Sequence, residues 1–195
     1  MDYPLQMRFK IFGLAPQIFV NDAKGNPVFY VKQKLFKLKE AVKVFKDKSK
    51  ADLMYEIKAD RIIDFSAKYH FRDTDGQEIG AVGRQGMKSL FRATYDIYDG
   101  DNKVMTLSEE AVWKRILERF LGGIPLVGFV VILLINPSYI VKSSDGESLF
   151  RLNKLPAFFE GKFSIDKLKD TLSTEEENRA LLSMLMLSLL ERSRG

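Results

Sequence analysis

The groups in this chain whose spacing could organise chemistry are carboxylates and lysines. Asp22, Asp47, Asp73 and Asp99 recur at intervals of 25, 26 and 26 residues. Paired carboxylates can serve as general acid and base in glycoside hydrolysis. Each of these aspartates, however, closes a strand-like run and precedes a turn residue, which points to turn formation. An Asp at a turn start accepts hydrogen bonds from backbone N–H groups two residues on. The other regular feature is a cationic stretch. Residues 32–50 carry eight lysines against Glu40 and Asp47. Within it, Lys32, Lys34, Lys37, Lys39, Lys43 and Lys46 form a candidate site for an anionic ligand. Anionic bilayers attract such clusters at about 1 kcal/mol per basic residue near the surface. Nucleic acid would attract them too and is the less favoured partner. The bland alternative is a solvated strand face, or lysines guarding an exposed edge.

Other chemistries are poorly served. The chain has one histidine and no cysteine, which removes most metal and thiol mechanisms. His70 lies on the face of its run opposite the apolar one, so a surface role is expected. No nucleophile elbow, P-loop or dinucleotide fingerprint occurs; Gly80, Gly83 and Gly86 have the wrong spacing. A non-catalytic protein with no cofactor and no metal is expected.

The elements that must position these groups follow from the repeat. Two residues before each Asp stands Val20, Phe45, Phe71 or Ile97. Four before stands Ile18, Tyr69 or Tyr95, with Lys43 as the exception. This alternation is that of half-buried strands. Three residues after the Asp comes Gly25, Lys50, Gly76 or Asn102, where a turn needs positive φ and Lys50 fits poorly. Second strands are expected at 28–31, 53–57, 79–82 and 104–107. A fifth copy runs through 139–152 with Ser143 at the Asp position. With flanking runs at 7–12 and 157–165, about 11–12 strands result.

A helix is expected over 175–192. Ser173 and Glu176 make a capping box, Glu175, Glu176 and Glu177 suit the helix dipole, and Arg192 and Arg194 stand at its negative end. From Ala180 to Leu190 only Ser183 and Ser188 are not apolar. A helix apolar all round must be buried all round. A barrel of about 12 antiparallel strands closed around that helix accommodates both facts, as an 11-stranded can holds a central helix. The fold class is therefore mainly β, in a single domain over 1–195.

The segment 108–136 interrupts the repeat. Ser108 is expected to cap a helix with Glu109 and Glu110 in its first turn. Trp113, Leu117, Phe120 and Leu121 lie on one apolar face of that helix, with Lys114 and Arg115 off it. An apolar run over 126–135 follows Gly122-Gly123-Ile124-Pro125. Phe120–Ile135 is too short and too interrupted for a span, which needs about 20 residues. An interfacial anchor fits better, or a contact with a protein partner or a second copy. The alternative is packing over one barrel end. No signal peptide opens the chain, since Asp2 is acidic and Arg8 and Lys10 break the first apolar run. A cytoplasmic protein, peripheral to membranes at most, is expected.

The unit Phe29-Tyr30-Val31-Lys32-Gln33-Lys34-Leu35-Phe36-Lys37-Leu38, followed by strand–Asp–turn–strand repeats, resembles the LURP-one-related family. That family belongs with phospholipid scramblases and tubby C-terminal domains, which share a 12-stranded barrel around a C-terminal hydrophobic helix. The resemblance covers most of 7–192, and 108–136 departs from it. It implies this barrel and a theme of membrane-lipid association; together with the lysine stretch, acidic phospholipid, phosphoinositides included, is the expected ligand class. It carries over no active site. Asp73-Thr74-Asp75-Gly76 is too short for a scramblase calcium loop, and its twelfth position is Arg84 rather than Glu. The phosphoinositide-binding residues of tubby have no position-by-position counterpart.

Overall fold

The computed structural model describes residues 1–10, 17–32, 41–61, 67–85, 94–110, 138–157 and 161–192. Twelve strands form one closed antiparallel barrel in which each strand pairs with its neighbours in sequence. They are β1 (Leu5–Lys10), β2 (Gln17–Asn21), β3 (Pro27–Lys32), β4 (Val42–Phe45), β5 (Leu53–Ala59) and β6 (Lys68–Arg72), then β7 (Glu78–Arg84), β8 (Thr94–Asp99), β9 (Asn102–Glu109), β10 (Ser138–Ser143), β11 (Ser148–Leu155) and β12 (Gly161–Lys167). β1 closes the ring on β12, with Leu5 opposite Ile165. Closure leaves no strand edge unpaired. One helix, α1 (Thr174–Arg192), follows the last strand.

The expected hairpins are present, and Asp22, Asp47 and Asp73 build their turns, whereas Asp99 pairs with Arg179 instead. Asp22 Oδ1 accepts the backbone N–H of Lys24 at 3.0 Å and of Asn26 at 2.9 Å. Asp73 Oδ1 does the same for Asp75 and Gln77, and Ser143 Oγ accepts from Glu147 at 3.2 Å. The Asn26 amide, backed by those N–H groups, holds the Asp22 carboxyl below the usual carboxylate range. Three of these turns place Gly25, Gly76 and Gly146 at φ between 82° and 86°. The second puts Lys50 there instead, at φ 60°. Lys50→Gly should therefore raise stability. It relieves roughly 1–2 kcal/mol of left-handed strain against roughly 0.5–1 kcal/mol of added unfolded-state freedom. A higher urea midpoint at unchanged slope is the expected readout.

Three expectations need correction. In the second repeat the strand is slipped by one: Val42 and Val44 are buried in the core, while Lys43 is exposed and Phe45 lies outward beside Tyr30. An inward Lys43 would be an unpaired buried charge, and a register shift between Val44 and Phe45 avoids it. In the fourth repeat the positive φ falls on Gly100, not Asn102. Asp99 and Asn102 face each other across a two-residue loop, and Gly at its first position is what a II′ turn needs. Third, Ser108 caps no helix. It lies in β9, paired with Thr94 on one side and Ile140 on the other. Strand pairing on both flanks overrides the capping signal, so the excursion begins after Glu110. The Glu110 N–H bonds the carbonyl of Ser138 at 2.7 Å, so the chain leaves and re-enters the barrel at adjacent strand ends.

α1 fills the lumen. Every residue from Arg179 to Leu190 is buried. The inward set of the wall, including Leu5, Phe9, Ile57, Phe71, Tyr95, Leu107 and Phe150, packs in one cluster with Leu182, Leu185 and Leu189. Ser183 and Ser188 need nothing from the wall, since each hydroxyl donates to the carbonyl four residues back, at 2.8 and 2.9 Å. The capping box is formed: Glu176 N–H donates to Ser173 Oγ, and Ser173 N–H to Glu176 Oε2.

Candidate functional site

Alternation of hairpins and connections gives the barrel two unlike ends. All five hairpin turns, the start of β1, the end of β12 and the first turn of α1 share one end. The strand ends that bracket 11–16, 33–41, 60–67, 85–93, 110–137 and 156–160 share the other. The two ends are here called the hairpin end and the connection end.

This arrangement divides the candidate lysines. Lys32 is the exposed last residue of β3, at the connection end. Lys43 stands on the outer face of β4, with its Nζ 3.9 Å from Glu56 Oε1. Lys46 begins the β4–β5 turn at the hairpin end. The stretch 32–50 is thus not one patch. Lys34, Lys37 and Lys39 lie outside the described residues. So do Trp113, Lys114, Arg115, Leu117, Phe120 and Leu121. His70 is on the outer wall, its Nδ1 2.9 Å from Glu78 Oε1.

Charge is sorted along the barrel axis instead. The connection end comprises the two residues of each strand nearest it and the described residues beyond them. There nine lysines and arginines meet three carboxylates, Asp60, Glu109 and Glu110. The hairpin end, with the first turn of α1, has nine cations against sixteen carboxylates. The belt between carries Arg8 and Arg151 against Glu56 and Asp96 and is neutral.

The interior holds one charge that the sequence did not single out. Arg179 is 4% exposed. Its Nε donates to the Ile79 carbonyl at 2.8 Å and its Nη2 lies 3.0 Å from Asp99 Oδ1. Ile79 is the residue skipped where β6 and β7 change register, so its carbonyl is available to Arg179. Gly80 makes the room: a Cβ there would stand 2.7 Å from Arg179 Nε and 2.7 Å from the Tyr98 carbonyl oxygen. Nearby, Glu177 accepts from the Tyr3 hydroxyl at 2.5 Å and from Lys167 Nζ at 3.2 Å. Burial, reinforced by the Glu177 hydrogen bond, pushes the Tyr3 hydroxyl far above the usual tyrosine range. These contacts anchor the helix and offer no reactive group to solvent. Among the described residues no His, Asp and Glu cluster could hold a metal, and no helix is long and apolar enough to cross a membrane.

No curated protein and no solved structure matches the chain. The model of the LURP-one-related family matches residues 27–122. The matched stretch starts with β3, carries the three strand–turn units from β4 to β9, and runs on past Glu110. The match spans 96 of the 195 residues, a little under half of the chain.

Proposed function

We propose that the chain is a non-catalytic barrel that associates with anionic membrane surfaces, acidic phospholipids being its ligand class. The observation that carries this reading is the sorted charge outside a filled lumen. With α1 occupying the interior, recognition falls to the exterior. There, cations exceed carboxylates by six at one end and nowhere else among the described residues. Three of the connections bracketed by those strand ends, 33–41, 85–93 and 110–137, bring apolar and basic residues together in sequence. Leu35 and Phe36 stand between Lys34 and Lys37, Leu90 and Phe91 between Lys88 and Arg92, and Trp113 beside Lys114 and Arg115. Apolar and basic residues together suit a bilayer interface.

Flotation with vesicles of graded anionic content, at two salt concentrations, tests the proposal. Association should rise with anionic lipid and weaken at high salt, because exposed charges more than a Debye length apart, about 8 Å at physiological ionic strength, are largely screened. Reversing Lys34, Lys37, Lys39 and Lys43 to Glu should remove association and leave circular dichroism unchanged. A wild-type protein that ignores anionic vesicles at low salt would defeat the proposal. In that case a protein contact through 108–136 becomes the better reading, and Trp113 emission that shifts blue with protein concentration would identify it.

A further inference from the structure

We infer that the barrel meets the lipid surface end-on, with the connection end against the headgroups and the hairpin end pointing away. The inference rests on the membrane reading above and adds an orientation to it. Its basis is the axial distribution of charge among the described residues. The connection end carries a net of +6, the wall belt is neutral, and the hairpin end with the first turn of α1 carries −7, or −6 once the buried Arg179 that pairs with Asp99 is counted. Exposed Lys32 and Lys154 and half-buried Lys10, Arg84 and Lys162 belong to the first set. Strands of four to eight residues, about six on average, at about 3.3 Å per residue, separate the two ends by roughly 20 Å. That exceeds the Debye length of about 8 Å at physiological salt. Only the near end therefore feels an anionic surface. A barrel lying on its side brings both ends into range, and attraction at one is cancelled by repulsion at the other. A barrel standing on its hairpin end is repelled. Standing on the connection end is the one pose in which attraction goes uncancelled.

The absence of cysteine allows single reporters. Ala157→Cys labels an exposed, uncharged site at the connection end, and Thr74→Cys its counterpart at the hairpin end. Each carries an environment-sensitive nitrobenzoxadiazole dye. The vesicles are phosphatidylcholine with phosphatidylserine, with and without nitroxide-bearing lipid. The label at 157 should shift blue and be quenched by nitroxide lipid, and the label at 74 should do neither. Equal responses, or a response at 74 alone, would overturn the orientation while flotation still upheld lipid binding. Flotation with neither label responding would overturn it too. Loss of flotation altogether, with nucleic acid bound instead, would overturn both readings. As a second arm, Lys32, Lys154 and Lys162 changed together to Gln should lose most vesicle association. Lys46, Lys48 and Lys50 changed together to Gln should leave it intact. The reverse pattern would sink the inference.

Discussion

Leu185→Glu leaves no soluble, folded protein. Leu185 is 1% exposed, midway along a helix whose residues 179–190 are all buried within the barrel. Arg179 is the one buried cation among the described residues, and it is already held by the Ile79 carbonyl and Asp99. An isolated buried charge costs several kcal/mol even after relaxation, and the lost leucine packing costs about 2–5 kcal/mol more. A domain holds only about 5–15 kcal/mol in total. Gel filtration and near-ultraviolet circular dichroism decide the matter. A monomeric Leu185→Glu variant with a cooperative melt would mean that α1 is not the axis of this barrel. Leu185→Met, which keeps the volume, should cost less than about 1.5 kcal/mol and serves as the control.

Gly80→Ala should be the most damaging single-methyl change in the wall. The added Cβ would lie 2.7 Å from the Tyr98 carbonyl oxygen and 2.9 Å from Arg179 Cδ, on a residue with φ of 151°. The arginine can shift, but the carbonyl belongs to the neighbouring strand and cannot. Backbone strain and overpacking each cost about 1–3 kcal/mol, so a loss of ~3 kcal/mol is expected. At a urea slope of about 2–3 kcal/mol per molar this lowers the midpoint by roughly 1 M. Arg179→Ala alone also destabilises, because it strands the Ile79 carbonyl. The double variant should lose less than the sum, since one of the two clashing groups has gone. Strict additivity would show that Gly80 does not serve Arg179.

The hydrophobic periodicity made most of this fold legible. Strand alternation, recurring turn residues and the uniformly apolar stretch 180–190 each constrain geometry locally, and together they admit few architectures. Lys43 was the visible sign of the slipped strand. It broke the inward pattern, and the structure satisfies it by moving Val42 and Val44 inward. Ser108 misled because a cap and a strand residue read alike until both neighbouring strands are known. Arg179 could not be read at all. Its partners lie 80 and 100 residues away, and in sequence Asp99 is indistinguishable from the aspartates that make turns. The lysine stretch looked like one patch because sequence proximity ignores which end of a strand a residue occupies. Four residues of β4 are enough to send Lys32 and Lys46 to opposite ends.

The position of α1 after all twelve strands also sets the order in which this protein can come into being. Chains are synthesised from the N-terminus and commonly begin folding as they emerge. Here the first strand must wait for the twelfth to close the ring, and the apolar lumen has no filling until α1 arrives. A nascent chain that has released β1 to β12 but not yet α1 is a sheet with its core side bare. Hairpins can form early, each within its own repeat, but no intermediate stopping point buries the inward faces of Phe71, Tyr95 and Phe150. The barrel and its axis must therefore consolidate together, in one late step. A ribosome stalled after β12 but before α1 has emerged would present the cell with an aggregation-prone sheet.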